Sequence, residues 1–388
     1  MRTATILSLL PLALAAPSKR ATPAPLHVPR DTSLVEGKYI VKLYENAGIQ
    51  ALDNTMSTLS SDADHVYDVE GFKGFAGALS AEQIETLQNH PDVEFIEQDA
   101  VMSINAYTTQ SGAPWGISRI SHRDSTNGYT YDSSAGTGTC AYIIDTGIQT
   151  SHSEFGGRAT WLANYADNSN TDGNGHGTHV AGTVGSTTYG VAKKTSLYAV
   201  KVLDATGGGT TSGVVAGMNF VTSDSKTRSC PNGVVANMSL GGATSSSINS
   251  AARAMINAGV FLAVAAGNEA ENASNSSPAG ESTVCTVGAT TSSDAKASYS
   301  NFGSVVDIFA PGSDIKSTWI NSGTNTISGT SMASPHIAGL GAYLLTLEGK
   351  RAPQALCSRI ASLATSGAIS GVNSGTVNLL AFNGNPSG

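Results

Sequence analysis

Four polar residues of this 388-residue chain stand where an apolar run ends or a helix begins: Asp145, His176, Asn268 and Ser331. Ser331 follows Gly329-Thr330 and precedes the apolar run 337–345, so it reads as a residue carried by a tight turn into the first turn of a buried helix. The free N–H groups and positive end of that helix could stabilise charge on a reacting carbonyl oxygen. Taken alone, Gly-Thr-Ser is an ordinary helix cap. A catalytic serine also needs a base and an acid.

Both have candidates. Asp145 leaves the strand-like run Ala141-Tyr142-Ile143-Ile144, where a carboxylate can orient a histidine and stabilise its imidazolium; alone, Asp-Thr-Gly is a turn. His176 lies in Asp172-Gly173-Asn174-Gly175-His176-Gly177-Thr178-His179, with glycines that let it open a helix close to other backbone. His179, three residues on, suggests a zinc pair, but the Glu of H-E-x-x-H and a third ligand are both missing. His336 would point about 140° around the helix from Ser331 and reads as structural. Asn268 ends Ala265-Ala266-Gly267-Asn268 after the apolar run 260–264, where its amide could donate to an oxyanion or merely make a Gly-Asn turn.

The elements that must hold these residues alternate. Apolar strands are expected at 140–144, 196–202, 234–240, 260–265, 284–287 and 305–309, and helices at 176–184, 211–222, 246–258 and 331–347. That alternation predicts an α/β fold with a mainly parallel central sheet, whose ligands gather at the carboxyl ends of its strands. Ahead of it, residues 37–104 read as β-α-β-β-α-β, a small α+β ferredoxin-like domain, with Ser80 and Gln83 in capping-box spacing. Residues 103–110 read as an exposed linker open to proteolysis.

Residues 1–15 carry Arg2, an apolar stretch and Ala13-Leu14-Ala15, the pattern of a secretory signal peptide; a Pro/Ala/Thr-rich lead-in runs over 16–36. Four cysteines in an oxidising compartment argue for two disulfides in one of three pairings. The net charge of −8 is uneven. Residues 1–105 hold 7 basic and 14 acidic side chains, whereas residues 106–388 hold 14 and 15. The second part therefore has no basic stripe for nucleic acid, and no later apolar run is long enough for a membrane helix.

Aspartate, histidine, asparagine and serine in this order, set in Asp-Thr-Gly, Gly-His-Gly-Thr-His-Val-Ala-Gly and Gly-Thr-Ser-Met-Ala, resemble the subtilisin-like serine proteases, whose Asp…His…Ser order is their hallmark. Ala113-Pro114-Trp115-Gly116, Tyr189-Gly190-Val191-Ala192-Lys193-Lys194 and Ser239-Leu240-Gly241-Gly242 look like the proteinase K group, especially its secreted fungal cuticle-degrading members. The resemblance runs from about Ala106 to the C-terminus, and residues 37–104 look like the family's inhibitory propeptide.

The resemblance implies a three-layer subtilisin-like fold and a secreted, alkaline-type serine endopeptidase of broad specificity. Ser331 would be the nucleophile, His176 the base and then acid, Asp145 the orienting carboxylate, and Asn268 with the Ser331 N–H the oxyanion hole. Gly207, Gly208 and Gly209 with Ser239, Leu240 and Gly241 would flank an extended peptide, and Ala265, Ala266 and Gly267 would wall a pocket for apolar and aromatic side chains. It also implies disulfides Cys140–Cys230 and Cys285–Cys357, and one structural calcium held by Asp307 and the carbonyls of Ser282 and Val284, with no organic cofactor. A second calcium site is not expected, because Ser121-His122-Arg123 stands where its threonine would be and no acidic residue follows Glu348.

The same likeness implies a monomer whose partners are protein substrates and its own propeptide, cut at about Asn105-Ala106. Asn272 and Asn275 are glycosylation candidates, whereas Asn237 lies in a core strand and should stay unmodified. Two other classes compete. An esterase-like α/β hydrolase needs Gly-x-Ser-x-Gly and the serine first in order, and Ala333 stands where the second glycine would be. A non-catalytic binding module would be favoured by the loss of Asp145, His176 or Ser331, and all three are present.

Overall fold

Along the strand Thr139–Asp145 successive side chains pass to opposite faces, and both faces are apolar. Ala141 and Ile143 enter one buried cluster, while Cys140, Tyr142 and Ile144 enter another. The strand Val260–Ala265 divides likewise, Phe261 and Ala263 against Val260, Leu262 and Val264. A strand that is apolar on both faces must be covered on both, which makes three layers. In the computed structural model, which describes residues 22–29, 34–48, 50–101, 107–124 and 128–388, the helices His176–Gly185 and Thr330–Glu348 contribute to the first cluster. Thr211–Asp224 and Ser246–Asn257 contribute to the second.

The sheet between them has nine strands, in the spatial order Thr365–Ser366, Leu379–Leu380, Ile308–Pro311, Cys285–Thr290, Val260–Ala265, Gly233–Met238, Thr139–Asp145, Ser196–Lys201, Ala159–Asn164. Every neighbouring pair is parallel except the first. The carboxyl ends of Thr139–Asp145, Gly233–Met238 and Val260–Ala265 therefore lie along one edge, the general place for ligands in such sheets. The edge strand Ala159–Asn164 and the helices Trp115–Ile120 and Pro353–Leu363 escape a reading of apolar runs, because each is short or polar on one side.

The chain divides into two units, one within Met1–Ser103 and the other within Ile104–Gly388. In the first, Val93–Ala100, Leu34–Leu43, Phe72–Ala78 and His65–Val69 pair antiparallel in that order. The helices Ala51–Met56 and Ala81–Gln88 bury Ala51, Leu52 and Leu87 against Val41, Leu43, Phe75, Val93 and Ile96. The capping box forms as expected: Gln83 N–H donates to Ser80 Oγ at 3.2 Å and Ser80 N–H to Gln83 Oε1 at 2.7 Å. Two expectations are corrected. The lead-in is not wholly unstructured, because Leu26–His27 pairs parallel with Val93–Ala100. Nor is the linker exposed coil throughout: Tyr107–Gln110 pairs antiparallel with Tyr129–Asp132, a long-range partner that local composition does not reveal. The signal peptide at 1–15 and the cut at Asn105-Ala106 lie outside the described residues.

No helix among the described residues is long and apolar enough to cross a membrane. The cysteines pair as Cys140–Cys230 and Cys285–Cys357, closing loops of 90 and 72 residues. Loops of that length are each worth about 4 kcal/mol in the chain-entropy account. Replacing Cys140 and Cys230 together by alanine should therefore lower the melting temperature by roughly 8–16 °C, at about 2–4 °C per kcal/mol for a unit of this size. A calorimetric scan showing no shift would contradict this.

Candidate active site

Asp145 is the last residue of its strand and is fully buried. Its Oδ1 receives the Thr146 N–H at 2.7 Å and faces His176 Nδ1 at 2.8 Å, while Oδ2 is buried with no hydrogen-bond partner. A carboxylate so far from water is tolerable only with strong partners, and the imidazole supplies the principal one. The contact sets the tautomer of His176: the proton on Nδ1 is held toward Asp145, leaving Nε2 as a base. Burial pulls the His176 pKa down, but the charge of Asp145, its hydrogen bond and the charge of Asp172 outweigh it, and the net effect is a rise above the ordinary histidine value.

His176 opens its helix without a side-chain cap. The preceding Gly175 has φ +105°, and a Cβ there would strike the Trp319 ring. That first turn hangs on Asp172, a buried residue that the motif reading passed over. Asp172 Oδ1 accepts from Thr146 Oγ1, Asn174 N–H and Gly175 N–H at 2.9, 3.1 and 2.8 Å. Its Oδ2 accepts from Thr178 N–H and Oγ1 at 2.9 and 2.6 Å. Thr146 Oγ1 in turn accepts from Gly177 N–H at 2.9 Å, so the loop bearing the aspartate and the helix bearing the histidine are tied together. An Asp two residues before Asn174 has the spacing of an Asx-turn, which was the available signal.

His179 points the other way. Its Nε2–H donates to Ile315 O at 2.9 Å, its ring meets the edge of Trp319, and burial pulls its pKa down to about 4. His336 is likewise a neutral core residue: Nδ1 bonds Met332 O at 2.8 Å, and burial pulls its pKa to about 4. Neither belongs to a group of metal-ligating side chains among the described residues.

Ser331 is the second residue of the helix Thr330–Glu348, so it sits among the unpartnered N–H groups as expected. Its hydroxyl donates to Ser239 O at 3.1 Å rather than to His176. Asn268 stands across from it on the loop after Val260–Ala265. Its Oδ1 accepts from Thr330 N–H at 2.8 Å and Thr330 Oγ1 at 3.0 Å, which leaves the amide N–H groups for the cleft. Thr330 is thus the orienter of the amide, a role its place beside Ser331 did not advertise. Asn301, fully buried, pins the same loop: its Oδ1 accepts from Glu269 N–H and Glu271 N–H, and its Nδ2 donates to Ala266 O and Glu269 Oε2. Gly267, at φ +103°, leaves the space that Asn301 and Glu269 fill.

Two adjoining cavities complete the cleft. One, of about 770 Å³, is lined by His176, Gly207, Gly208, Gly209, Ser239, Leu240 and Gly241 among others. The other, of about 310 Å³, is lined by Leu240, Gly241, Ala265, Gly267, Asn268 and Ser331, with Glu269 and Glu271. Ala266 is the exception among the expected wall residues. Strand alternation turns its side chain away, into a buried cluster with Phe309 and Leu380. The arrangement has a base, an oriented acid, a hydroxyl at a helix N-terminus and a free amide, the parts needed for acyl transfer.

Asp307 lies in a third, smaller cavity with Ser282, Thr283, Val284, Gln354 and Ser358. Its Oδ2 accepts the Thr286 N–H at 2.8 Å, it has no ion pair among the described residues, and burial pushes its pKa up to about 6. The neighbouring Cys285 and Cys357 are joined to each other and offer no thiolate, so the donors around this cavity are oxygens, the kind that suits calcium.

Comparison with known proteins agrees with the geometry. Residues 136–376 match the model of the subtilase family, and residues 38–105 match that of the peptidase inhibitor I9. A subtilisin-like serine protease of Sarocladium strictum is 63% identical over 390 residues, covering 100% of both chains. A cuticle-degrading protease of Metarhizium anisopliae is 58% identical, covering 99% of this chain and 100% of its own. Among solved structures, a cold adapted subtilisin-like serine proteinase superposes with TM-score 0.67 at 45% identity, covering 70% of this chain and 99% of its own. With the buried Asp145–His176 pair, the serine at a helix N-terminus and the matched I9 segment ahead of them, the chain belongs to the subtilase family of serine peptidases and carries the family's inhibitory prosegment.

Proposed function

We propose that the protein is an exported serine endopeptidase of broad specificity, made as a self-processing precursor with a signal peptide at 1–15, an inhibitory propeptide at 16–105 and the peptidase unit at 106–388. The observation that carries the reading is the 2.8 Å Asp145–His176 contact at a cleft also lined by Ser331 and Asn268. Ser331 Oγ turns from Ser239 O toward His176, gives its proton to Nε2 and attacks the peptide carbonyl. Asp145 stabilises the imidazolium, and the Asn268 amide and Ser331 N–H take the oxyanion. His176 passes the proton to the leaving amine, and water then releases the acyl group by the same route.

Gly207–Gly209 and Ser239–Gly241 flank the substrate as added strands, and the cavity at Ala265 and Gly267 takes an apolar or aromatic side chain. Glu269 and Glu271 beside that cavity disfavour acidic side chains there. Export is supported by the N-terminal pattern and the two disulfides. The propeptide is proposed to be cut at about Asn105-Ala106 by the enzyme itself, and the enzyme to act as a monomer without nucleic-acid or membrane partners. Asn272 and Asn275 are exposed and can accept glycans, whereas Asn237 is buried. Calcium at Asp307, with Ser282 and Val284 beside it, would neutralise a buried carboxylate and tie the two ends of its cavity together.

Ser331→Ala should accumulate as uncut precursor and lose roughly 10⁶-fold in kcat, the scale such a group carries in subtilisin, while Asn268→Ala should lose roughly 10²–10³-fold. Both are read from precursor size and hydrolysis of an aromatic-P1 peptide, and normal maturation of Ser331→Ala would refute the mechanism. Because the His176 pKa is raised and the base must be neutral, kcat/KM should climb with pH through a midpoint above the ordinary histidine value. Asp145→Asn should move that midpoint down and cut kcat by roughly 10³–10⁴-fold. Chelator should shorten the half-life of thermal inactivation, and Asp307→Asn should make the protein indifferent to it. An unchanged wild-type half-life would count against the calcium site.

A further inference from the structure

In an α-helix each carbonyl is taken by the N–H four residues on. For Ser331 that residue is Pro335, inside the helix Thr330–Glu348. Proline has no N–H, and its ring crowds the carbonyl four residues before it. The residue bearing the proposed nucleophile therefore has a carbonyl that, away from the helix C-terminus, lacks its donor four residues on. A buried carbonyl left so would cost about 1–3 kcal/mol in lost solvation.

Ser239 supplies the missing donor. Ser239 is only 4% exposed, and its hydroxyl donates to Ser331 O at 2.7 Å. The direction of that proton is forced from behind. Ser334 Oγ donates to Asn237 Oδ1 at 2.8 Å, which turns the Asn237 amide so that Nδ2 donates to Ser239 Oγ at 2.8 Å. With its oxygen receiving the Asn237 amide, Ser239 can spend its one proton only on Ser331. Ser331 Oγ donates back to Ser239 O at 3.1 Å. Three hydrogen bonds thus join the end of the strand Gly233–Met238 to the first turn of the serine helix, and the Asn237–Ser239 bond braces them from the strand side.

We propose that Ser239 is a positioning residue whose side-chain hydroxyl replaces the N–H that Pro335 lacks, with Asn237 fixing its direction, and that this bond holds Ser331 in register with the segment Ser239–Gly241. The inference rests on Ser331 being the nucleophile. Its backbone contacts to substrate are separate from this role, because the hydroxyl points to the helix and not into the cleft. Without the bond the first helical turn is free to shift by a fraction of an ångström, and misplacement on the scale of 1 Å costs on the order of 10²-fold in rate. The loss should fall on kcat and on the reactivity of Ser331, not on KM.

The test is a double-mutant cycle on the mature enzyme, because Pro335→Ala restores the N–H that Ser239 replaces. Ser239→Ala should lower kcat by roughly 10–100-fold with KM within about twofold, and slow inactivation by phenylmethylsulfonyl fluoride by a similar factor. Ser239→Thr, which keeps the hydroxyl, should recover most of that loss. Whatever Pro335→Ala does alone, adding Ser239→Ala to it should cost several-fold less than in the wild type. An equal loss in both backgrounds, or a loss confined to KM, overturns the proposal. If Ser239→Ala does not accumulate as folded protein, recovery of folded, active enzyme in the double variant supports the proposal, and failure of both alike overturns it. Ser331→Ala, run alongside, separates the two readings: maturation and hydrolysis near the wild-type level there sink the nucleophile assignment, whereas a Ser331→Ala that stays uncut and inactive, with an additive cycle, sinks only the role of Ser239.

Discussion

A carboxylate with no access to water governs the arrangement around it. Asp145 stands at the end of a central strand with parallel neighbours on both sides, so the sheet itself excludes solvent from it. The isolated charge would be far too costly there, and the protein answers with the imidazole of His176 and the Thr146 N–H. The same geometry that makes the charge tolerable makes the histidine a better base. Stability and chemistry are here one interaction, which is why the loop around Thr146 and the helix start at His176 are stapled so densely through Asp172.

Around that pair the site is built from helix ends and strand ends, the places where backbone groups lack partners. The histidine helix and the serine helix pack in the same apolar layer and begin at the same edge of the sheet. Each polar tip is then locked by a side chain from another element: Thr330 on Asn268, Asn301 on the loop of Asn268, Ser239 on Ser331. A site held this way has little to reorganise when charge develops, which is the condition for electrostatic stabilisation of a transition state.

Much of this was legible in order and little of it in depth. Apolar runs located the central strands and the main helices to within a few residues, because strands buried on both faces have few polar interruptions. The edge strand Ala159–Asn164 and the pairing of Tyr107–Gln110 were hidden, since a half-exposed strand takes its identity from its partner. The resemblance put Ala266 on the cleft wall with Ala265 and Gly267, yet alternation along an extended segment sends its side chain into the buried cluster with Phe309 and Leu380. Asp172, Thr330 and Asn301 went unremarked because Asp-Gly, Gly-Thr and Ser-Asn are common dipeptides whose hydrogen bonds span up to 63 residues.

By itself the sequence determined which residue types were available and in what order: an aspartate after an apolar strand, a histidine among glycines, an asparagine after Ala-Ala-Gly, a serine at the head of a helix. These are local properties, set by propensity, turn chemistry and the period of apolar residues. Only the tertiary structure decided which polar groups face each other. It chose His176 over His179 for Asp145, joined Cys140 to Cys230 and Cys285 to Cys357, and gave the carbonyl of Ser331 a donor 92 residues away, just past the end of a strand. The reason is physical: hydrogen bonds act over about 3 Å in space, and a parallel sheet brings together chain ends that the sequence keeps far apart.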